Sequence, residues 1–221
     1  EAGSPEPLIK VAPFRPKKIG LIMTRLAGTK DSVLASTVNT VNNRIESLGS
    51  QLVTQDTVQH EETEVAKAIT SSIEQASEII LISGASAIVD RRDVIPLAIE
   101  MAGGKVDHFG MPVDPGNLLL LGHIDATSGT TLVLGLPGCA RSPKLNGFDW
   151  VLERLVAEQG VTARDIMKMG AGGLLKEIPS RPQPRHDVSR PASEVKSIPV
   201  VGGILLAAGQ SRRMGKVNKL L

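Results

Sequence analysis

The stretch from Ser83 to Ser86, S-G-A-S, combines residue types that bind anionic ligands. Ser83 and Ser86 carry hydroxyl groups, and the small residues Gly84 and Ala85 between them let a ligand approach the backbone closely. A charged segment, D-R-R-D, follows four residues later. This order of residues indicates a site for a ligand that carries negative charge.

Asp93 closes that charged segment directly before a predicted helix, and its position has two interpretations. Asp is a preferred N-cap, so Asp93 caps the helix. Alternatively, the helix N-terminus binds an anion such as phosphate, and Asp93 or its neighbour Asp90 holds Mg²⁺ or orients the reacting group. Arg91 and Arg92 either make bidentate phosphate contacts or are solvated surface charges. These residue types alone leave both interpretations open.

Two further loops lie beside short apolar runs. Pro115 and Gly116 precede L-L-L-L-G, and T-L-V-L leads into Gly135-Leu136-Pro137-Gly138. An apolar run of this length, flanked by Gly and Pro, is typical of a strand buried on both faces of a parallel sheet. Loops at the ends of such strands line the crevice where open α/β sheets bind ligands. We therefore expect the three loops to form one site.

The elements that must position these loops follow from the periodicity of apolar residues. Strands are predicted over 18–23, 51–54, 78–83, 105–109, 118–121 and 131–134, the second of them ending at Asp56; helices are predicted over 31–48, 61–76, 143–158, and from Asp93 to the Gly103-Gly104 pair. The early alternation predicts an α/β three-layer α/β/α sandwich with a mostly parallel sheet. The later strands lack intervening helices, which indicates a mixed part.

Composition excludes several classes of protein. The chain has 221 residues, of which 41% are hydrophobic and 22% charged, with a formal net charge of +2. This composition is that of a globular protein and lacks the basic stripe of a nucleic-acid binder. No apolar stretch approaches the roughly 20 residues of a membrane span. The single cysteine, Cys139, fits a cytoplasmic protein, and we interpret it as a structural thiol because the four histidines form no motif with it.

The chain divides into four parts by sequence. Residues 1–16 form an irregular lead-in, 17–177 a domain, 178–198 a linker rich in Pro and Arg, and 199–221 the start of a second unit. The last part opens with an apolar run, Val200–Leu206, and continues as A-A-G-Q-S-R-R-M-G-K. A strand that leads into a Gly-containing loop can present N–H groups to phosphates.

The segment Arg92-Asp93-Val94-Ile95-Pro96, with the strand and small-residue loop before it, resembles the molybdopterin-binding domain of molybdenum-cofactor biosynthesis proteins. Residues 114–118 and 135–138 are similar to the P-G-K-P-L and G-L-P-G motifs of its molybdotransferase branch. The resemblance runs from about residue 18 to 155 and places Asp56 where the family has an acidic residue after its second strand. It implies molybdopterin, or the metal-loaded cofactor, as the ligand. The substrate-binding residues it implies are Ser83, Gly84, Ala85, Ser86, Arg92, Pro115, Gly116, Gly135, Leu136, Pro137 and Gly138. Asp90 is the candidate metal ligand on its residue type and position alone.

Residues 206–221 are similar to the opening signature of nucleotidyltransferases, with the molybdenum-cofactor cytidylyl- and guanylyltransferases as the best match. The resemblance implies nucleotide binding by Ala208, Gly209, Ser211, Arg213 and Lys219. It also implies Mg²⁺ and a nucleoside triphosphate (CTP, GTP or ATP) for the full-length protein. We expect the remainder of such a domain to lie beyond Leu221, outside this chain.

Both resemblances together imply a bifunctional cofactor-biosynthesis protein whose first domain presents molybdopterin to a fused nucleotidyltransferase. Two alternatives stay open. The first domain could itself be an Mg·ATP-dependent adenylyltransferase with Asp56 and Asp93 as catalytic residues, or a catalytically silent platform for self-association. The family resemblance permits a homo-oligomer, either a trimer or a dimer, and implies an apo-molybdoenzyme or its chaperone as recipient. We expect neither nucleic-acid nor membrane partners.

Overall fold

A computed structural model describes residues 11–127 and 129–170. The predicted linker 178–198 and the nucleotide-binding residues Ala208, Gly209, Ser211, Arg213 and Lys219 lie outside the described residues, as does most of the lead-in. The strands are β1 (Lys18–Arg25), β2 (Gln51–Gln59), β3 (Ile79–Ser83), β4 (Lys105–Phe109), β5 (Leu120–Ala126) and β6 (Gly129–Leu136). The α-helices are α1 (Asp31–Ser47), α2 (Glu62–Glu74), α3 (Val94–Met101), α4 (Gly147–Val156) and α5 (Ala163–Lys168), and a 3-10 helix covers Gly138–Arg141.

The six strands form one mixed sheet in the order β2-β1-β3-β6-β5-β4. The pairs β1–β2, β1–β3 and β3–β6 are parallel, whereas β5 is antiparallel to both β6 and β4. Five strands therefore run in one direction and only β5 runs against them. The predicted combination of a mostly parallel sheet with a mixed part is confirmed.

Helices cover both faces of the sheet, which gives the predicted three-layer α/β/α sandwich. On one face the core contains Val41 and Ile45 of α1 with Phe148 of α4. On the other face Ile69 of α2 and Ile95 of α3 pack on Ile80 and Ile82 of β3. Because β3 sends alternate side chains into the two cores, all five of its residues are buried.

Turn residues end several elements where the sequence predicts. Gly49 follows α1 with φ +70°, and its N–H donates to the Glu46 carbonyl oxygen. Gly103 follows α3 with φ +82°. Such left-handed positions favour glycine because it has no Cβ.

Several element boundaries differ from the sequence prediction, among them the end of β2 and the start of α4. Strand β2 continues to Gln59, so Asp56 lies inside it, paired with Ile22 of β1, rather than at its end. Helix α4 begins at Gly147 instead of residue 143, because buried Asn146 caps it: its side-chain oxygen accepts from the Phe148 N–H, and its own N–H donates to Asp149. The short α5 carries too little periodicity for prediction. None of the helices within 11–127 and 129–170 has the length and apolar character to cross a bilayer.

Candidate functional site

The connections that follow the neighbouring strands β1 and β3 cross to opposite faces of the sheet. The chain leaves β1 for α1 on one face of the sheet and leaves β3 for α3 on the other face. Two neighbouring strands whose connections diverge in this way open a crevice at their carboxyl ends, and this is where α/β sheets bind ligands. We call the region around the loop of residues 84–93 the switch-point crevice; the loop of residues 26–30 lies on its β1 side and the segment of residues 135–141 on its β6 side.

The loop of residues 84–93 is fastened to β1 and β2 by side-chain hydrogen bonds. The Ala85 N–H donates to the Thr24 hydroxyl at 2.7 Å. His60, which directly follows β2, bonds Thr24 through Nδ1 and the Ser86 hydroxyl through Nε2, both at 2.8 Å. Thr24 is 2% exposed, His60 is half-buried and Ser86 is exposed. Ser86 is therefore the point where this buried network reaches the solvent.

Burial lowers the pKa of His60 below its usual value of 6.5, although the carboxylates of Asp93 and Glu62 act in the opposite direction. The lowered pKa means that the imidazole is neutral around pH 7. A neutral imidazole has one donor and one acceptor nitrogen, which matches one hydroxyl partner at each nitrogen.

The two acidic residues of the loop bond its own backbone. Asp93 occupies the N-cap position of α3, but its side chain does not cap the helix. Its Oδ2 accepts the N–H groups of Val89 and Asp90 at 2.7 and 2.9 Å, and Asp90 Oδ1 accepts the Arg92 N–H at 2.8 Å. Asp93 therefore holds the predicted N-cap position, but its carboxylate bonds the preceding loop instead of the first N–H groups of the helix. Both carboxylates shape the loop, and Arg92 is exposed beside them.

Ser83 and Gly84 lie at the floor of the loop and are buried. A Cβ atom on residue 84 would lie 2.7 Å from the Ser86 carbonyl oxygen and 2.9 Å from Cδ1 of Ile95. Glycine is therefore required here by the close approach of the loop to its own backbone and to α3. Of the four residues 83–86, Ser86 presents the most accessible polar side chain.

The segment of residues 135–141 joins the loop from the β6 side. Leu136 of β6 pairs with Ser83 of β3, so the two strands end at the same level. The Arg141 guanidinium then donates to the Gly84 carbonyl oxygen. Gly135, Leu136 and Pro137 are buried and Gly138 is exposed, with nothing within 4 Å of a Cβ placed on it. The open position in this motif is thus Gly138.

The loop of residues 110–119 lies at the same end of the sheet. Its Pro115 carbonyl oxygen accepts the Gly147 N–H at 2.8 Å. Gly116 has φ +129°, and a Cβ there would lie 2.7 Å from the Gly147 nitrogen. Pro115 and Gly116 therefore contact the start of α4, and their predicted contact with a ligand remains a prediction.

The sequence prediction placed Asp56 after β2, but His60 holds that position. Asp56 is half-buried within the strand, at the level of Ile22 and Ile82. In the described part of the chain, no group of three or more His, Cys, Asp or Glu residues could hold a metal ion. The metal-binding role of Asp90 remains a prediction, and so do the catalytic roles of Asp56 and Asp93.

Sequence reasoning missed Thr24, His60, Arg141 and Arg44. Arg44 of α1 is nearly buried and donates to Asp149 and to the carbonyl oxygens of Ala140, Ser142 and Lys144. It thereby fixes the segment that carries Arg141. A His directly after a strand end is the only local signal among these residues; the others act across long separations in the chain.

Two further features are Cys139, next to Gly138, and a cavity away from the crevice. Cys139 is half-buried, and burial raises its pKa, so the thiol stays protonated, in line with a structural role. A cavity of about 480 Å³, lined among others by Lys17, Glu78 and Gly160, lies at the opposite end of the sheet, where β1 and β3 begin.

Two solved structures and one family model are similar to this chain. A solved structure of the tungsten cofactor synthesizing protein MoaB from Pyrococcus furiosus is 17% identical, covers 63% of this chain and 92% of its own, and gives a TM-score of 0.45. A structure of CinA from Thermoplasma acidophilum, a protein described as having unknown function, is 14% identical over 64% of this chain and 98% of its own, with a TM-score of 0.43. No curated protein matches the chain. The family model described as "Probable molybdopterin binding domain" matches residues 26–157, which include every loop of the crevice, and the chain belongs to this family.

Proposed function

We propose that residues 17–170 bind molybdopterin, or the molybdenum-loaded cofactor, in the switch-point crevice, with the ligand phosphate between Ser86 and Gly138. The observation that carries the proposal is the convergence of three separate segments on the loop after β3. Thr24 is hydrogen-bonded to Ala85, His60 to Ser86, and Arg141 to Gly84. A loop fixed from three sides offers a preorganised surface to an anionic ligand.

Binding, rather than adenylyl transfer, fits the acidic residues of this domain. Asp90 and Asp93 already accept backbone N–H groups of their own loop, and Asp56 lies within a strand. Such carboxylates are less available to hold Mg²⁺ than free ones. The proposed role of the domain is therefore to hold the cofactor for a second active site.

The proposal extends to a fused nucleotidyltransferase, because the sequence of residues 206–221 is similar to the opening signature of such domains. That domain would use Mg²⁺ and CTP, GTP or ATP to modify the phosphate of the bound cofactor. Tethering raises the effective concentration of an intermediate at the second site. Self-association as a dimer or trimer, delivery to an apo-molybdoenzyme and a cytoplasmic location belong to the same proposal.

A pair of matched variants tests the site. Gly138→Asp and Gly160→Asp add the same charge at exposed glycines where a Cβ meets nothing within 4 Å, the first at the crevice and the second at the opposite end of the sheet. Two like charges about 4 Å apart repel by roughly 1–4 kcal/mol near a protein surface. We expect Gly138→Asp to weaken molybdopterin binding about tenfold or more in a fluorescence titration.

Gly160→Asp is expected to bind molybdopterin like the wild type. Equal affinities of both variants and the wild type would contradict the placement of the ligand. Turnover of ATP by the wild-type chain with molybdopterin present, lost in Asp56→Asn, would instead establish the adenylyltransferase alternative.

A further inference from the structure

The Thr24, His60 and Ser86 side chains form a hydrogen-bond relay whose direction follows from the donors. The Ala85 backbone N–H can only donate, so the Thr24 hydroxyl accepts from it. The hydroxyl hydrogen of buried Thr24 also needs an acceptor, and His60 Nδ1 lies 2.8 Å away. His60 Nδ1 is therefore the acceptor of this pair.

The direction at His60 sets the direction at Ser86. A neutral imidazole that accepts at Nδ1 carries its hydrogen on Nε2, and it donates this hydrogen to the Ser86 Oγ at 2.8 Å. The Ser86 hydroxyl then accepts from the protein and keeps its own hydrogen free. Because Ser86 is exposed at the crevice, this hydrogen is available to a ligand.

We propose that His60 is a positioning residue for anion binding: it fills an acceptor site of the Ser86 hydroxyl, so that Ser86 donates its hydrogen to a phosphate-type oxygen of the ligand. The inference rests on the proposed ligand-binding function of the crevice and adds a residue that no motif assigns. A hydroxyl that accepts one hydrogen bond is polarised and donates the next one more strongly. Through this relay, the buried Thr24 of β1 is linked by hydrogen bonds to the hydroxyl that binds the ligand.

The opposite tautomer would produce a different site. If Nδ1 carried the hydrogen, Nε2 would accept from Ser86 and the hydroxyl would present only lone pairs, which repel an anion. The carboxylates of Asp93 and Glu62 act on His60 and favour its charged form, whereas its burial opposes that form.

The first measurement needs no ligand. In ¹⁵N-detected NMR of the wild-type chain at about pH 7.5, we expect the His60 Nε2 to carry the hydrogen and Nδ1 to show the shift of an unprotonated nitrogen. A hydrogen on Nδ1 would overturn the inference. Thr24→Val, which removes the donor to Nδ1, is expected to change this pattern.

The second measurement is a double-variant cycle in molybdopterin affinity. Ser86→Ala and His60→Phe are each expected to weaken binding by about tenfold or more, because each affects a hydrogen bond to a charged group. The double variant is expected to bind no more weakly than Ser86→Ala alone, because His60 acts through Ser86. Additive losses would show that His60 has only a structural role.

Two variants control for folding and location. His60→Gln, whose amide can still donate to Ser86, is expected to recover most of the affinity lost in His60→Phe. His123→Gln removes a histidine bonded to Asp107 at 2.7 Å and distant from the crevice, and it is expected to leave affinity unchanged.

If the wild type binds no molybdopterin, the proposed ligand is wrong, and inorganic phosphate becomes the probe. Phosphate-induced shifts at Ser86 that depend on His60 would then support the relay. Their absence would overturn it.

Discussion

Arg44 shows how one side chain can position a distant part of the site. Its guanidinium bonds Asp149 at 2.6 Å and four carbonyl oxygens, and it lies 5.5 Å from the centroid of the Phe148 ring. Three of those carbonyls belong to the end of the 3-10 helix and the irregular segment that follows it, residues 140–144. Arg44 supplies the donors that a helix or sheet would otherwise provide.

Replacing Arg44 should therefore destabilise the fold. In Arg44→Met, Asp149 and the carbonyl oxygens lose their donor while the side chains of both partners are only 12% and 10% exposed. Breaking a buried pair in this way costs about 3–5 kcal/mol. Urea unfolding measures the loss. Arg15→Met is the control, since its pair with Glu158 is exposed and is worth about 0–1 kcal/mol; equal losses in both variants would contradict this account.

The pKa of His60 predicts a pH dependence of stability. Because burial lowers the folded-state pKa, the unfolded chain takes up a proton at His60 first as the pH falls below 6.5. This contribution is present above that pH and is lost as the pH falls through the folded-state pKa. Between about pH 8 and about pH 5, the free energy of unfolding should fall more steeply in the wild type than in His60→Gln. Parallel profiles in urea unfolding would exclude the effect.

At the scale of elements, the caps determine where helices begin. The segment 143–158 has helical periodicity, but Pro143, Lys144 and Leu145 are exposed and outside α4. Asn146 is fully buried and forms a capping box with Asp149. Helix α4 therefore begins directly after Asn146, because the capping box provides hydrogen-bond partners for the buried N–H groups of Asn146 and Phe148.

The two capping boxes of the structure should differ in strength. Asn146→Ala removes a cap with 0% exposure, and Thr162→Ala removes the cap of α5, which lies near the surface. A cap is worth about 0.5–2 kcal/mol, and leaving buried groups unpaired adds about 1–3 kcal/mol. Urea unfolding should show a larger loss for Asn146→Ala. A larger loss for Thr162→Ala would mean that burial does not govern the cap of α4.

Sequence patterns predicted the strands and helices well because each depends on residues close together in the chain. Ile79 to Ser83 is apolar and flanked by turn residues, and it forms the central strand β3. The site was predicted in part. The loop of residues 83–93 is at the crevice, but Thr24 and His60 join it across separations of 61 and 26 residues. Such contacts depend on strand order, which local periodicity does not encode.

At the scale of the whole molecule, strand order decides where ligands can approach. The order β2-β1-β3-β6-β5-β4 places the divergence of connections beside the loop of residues 84–93. The antiparallel strand β5 begins at that same end, so the loop of residues 110–119 also reaches it. The relay through His60 and the contact from Arg141 then tie the segments together.

Strand β2 has a further consequence as the outermost strand of the sheet. Among residues 11–127 and 129–170, no strand pairs with its outer row of backbone groups. A nine-residue strand edge of this kind can pair with a strand from another chain and start aggregation. Asp56 lies near the centre of that border, half-buried. An incoming strand would have to desolvate its carboxylate. We therefore expect Asp56 to oppose pairing of β2 with a strand of another copy of the chain.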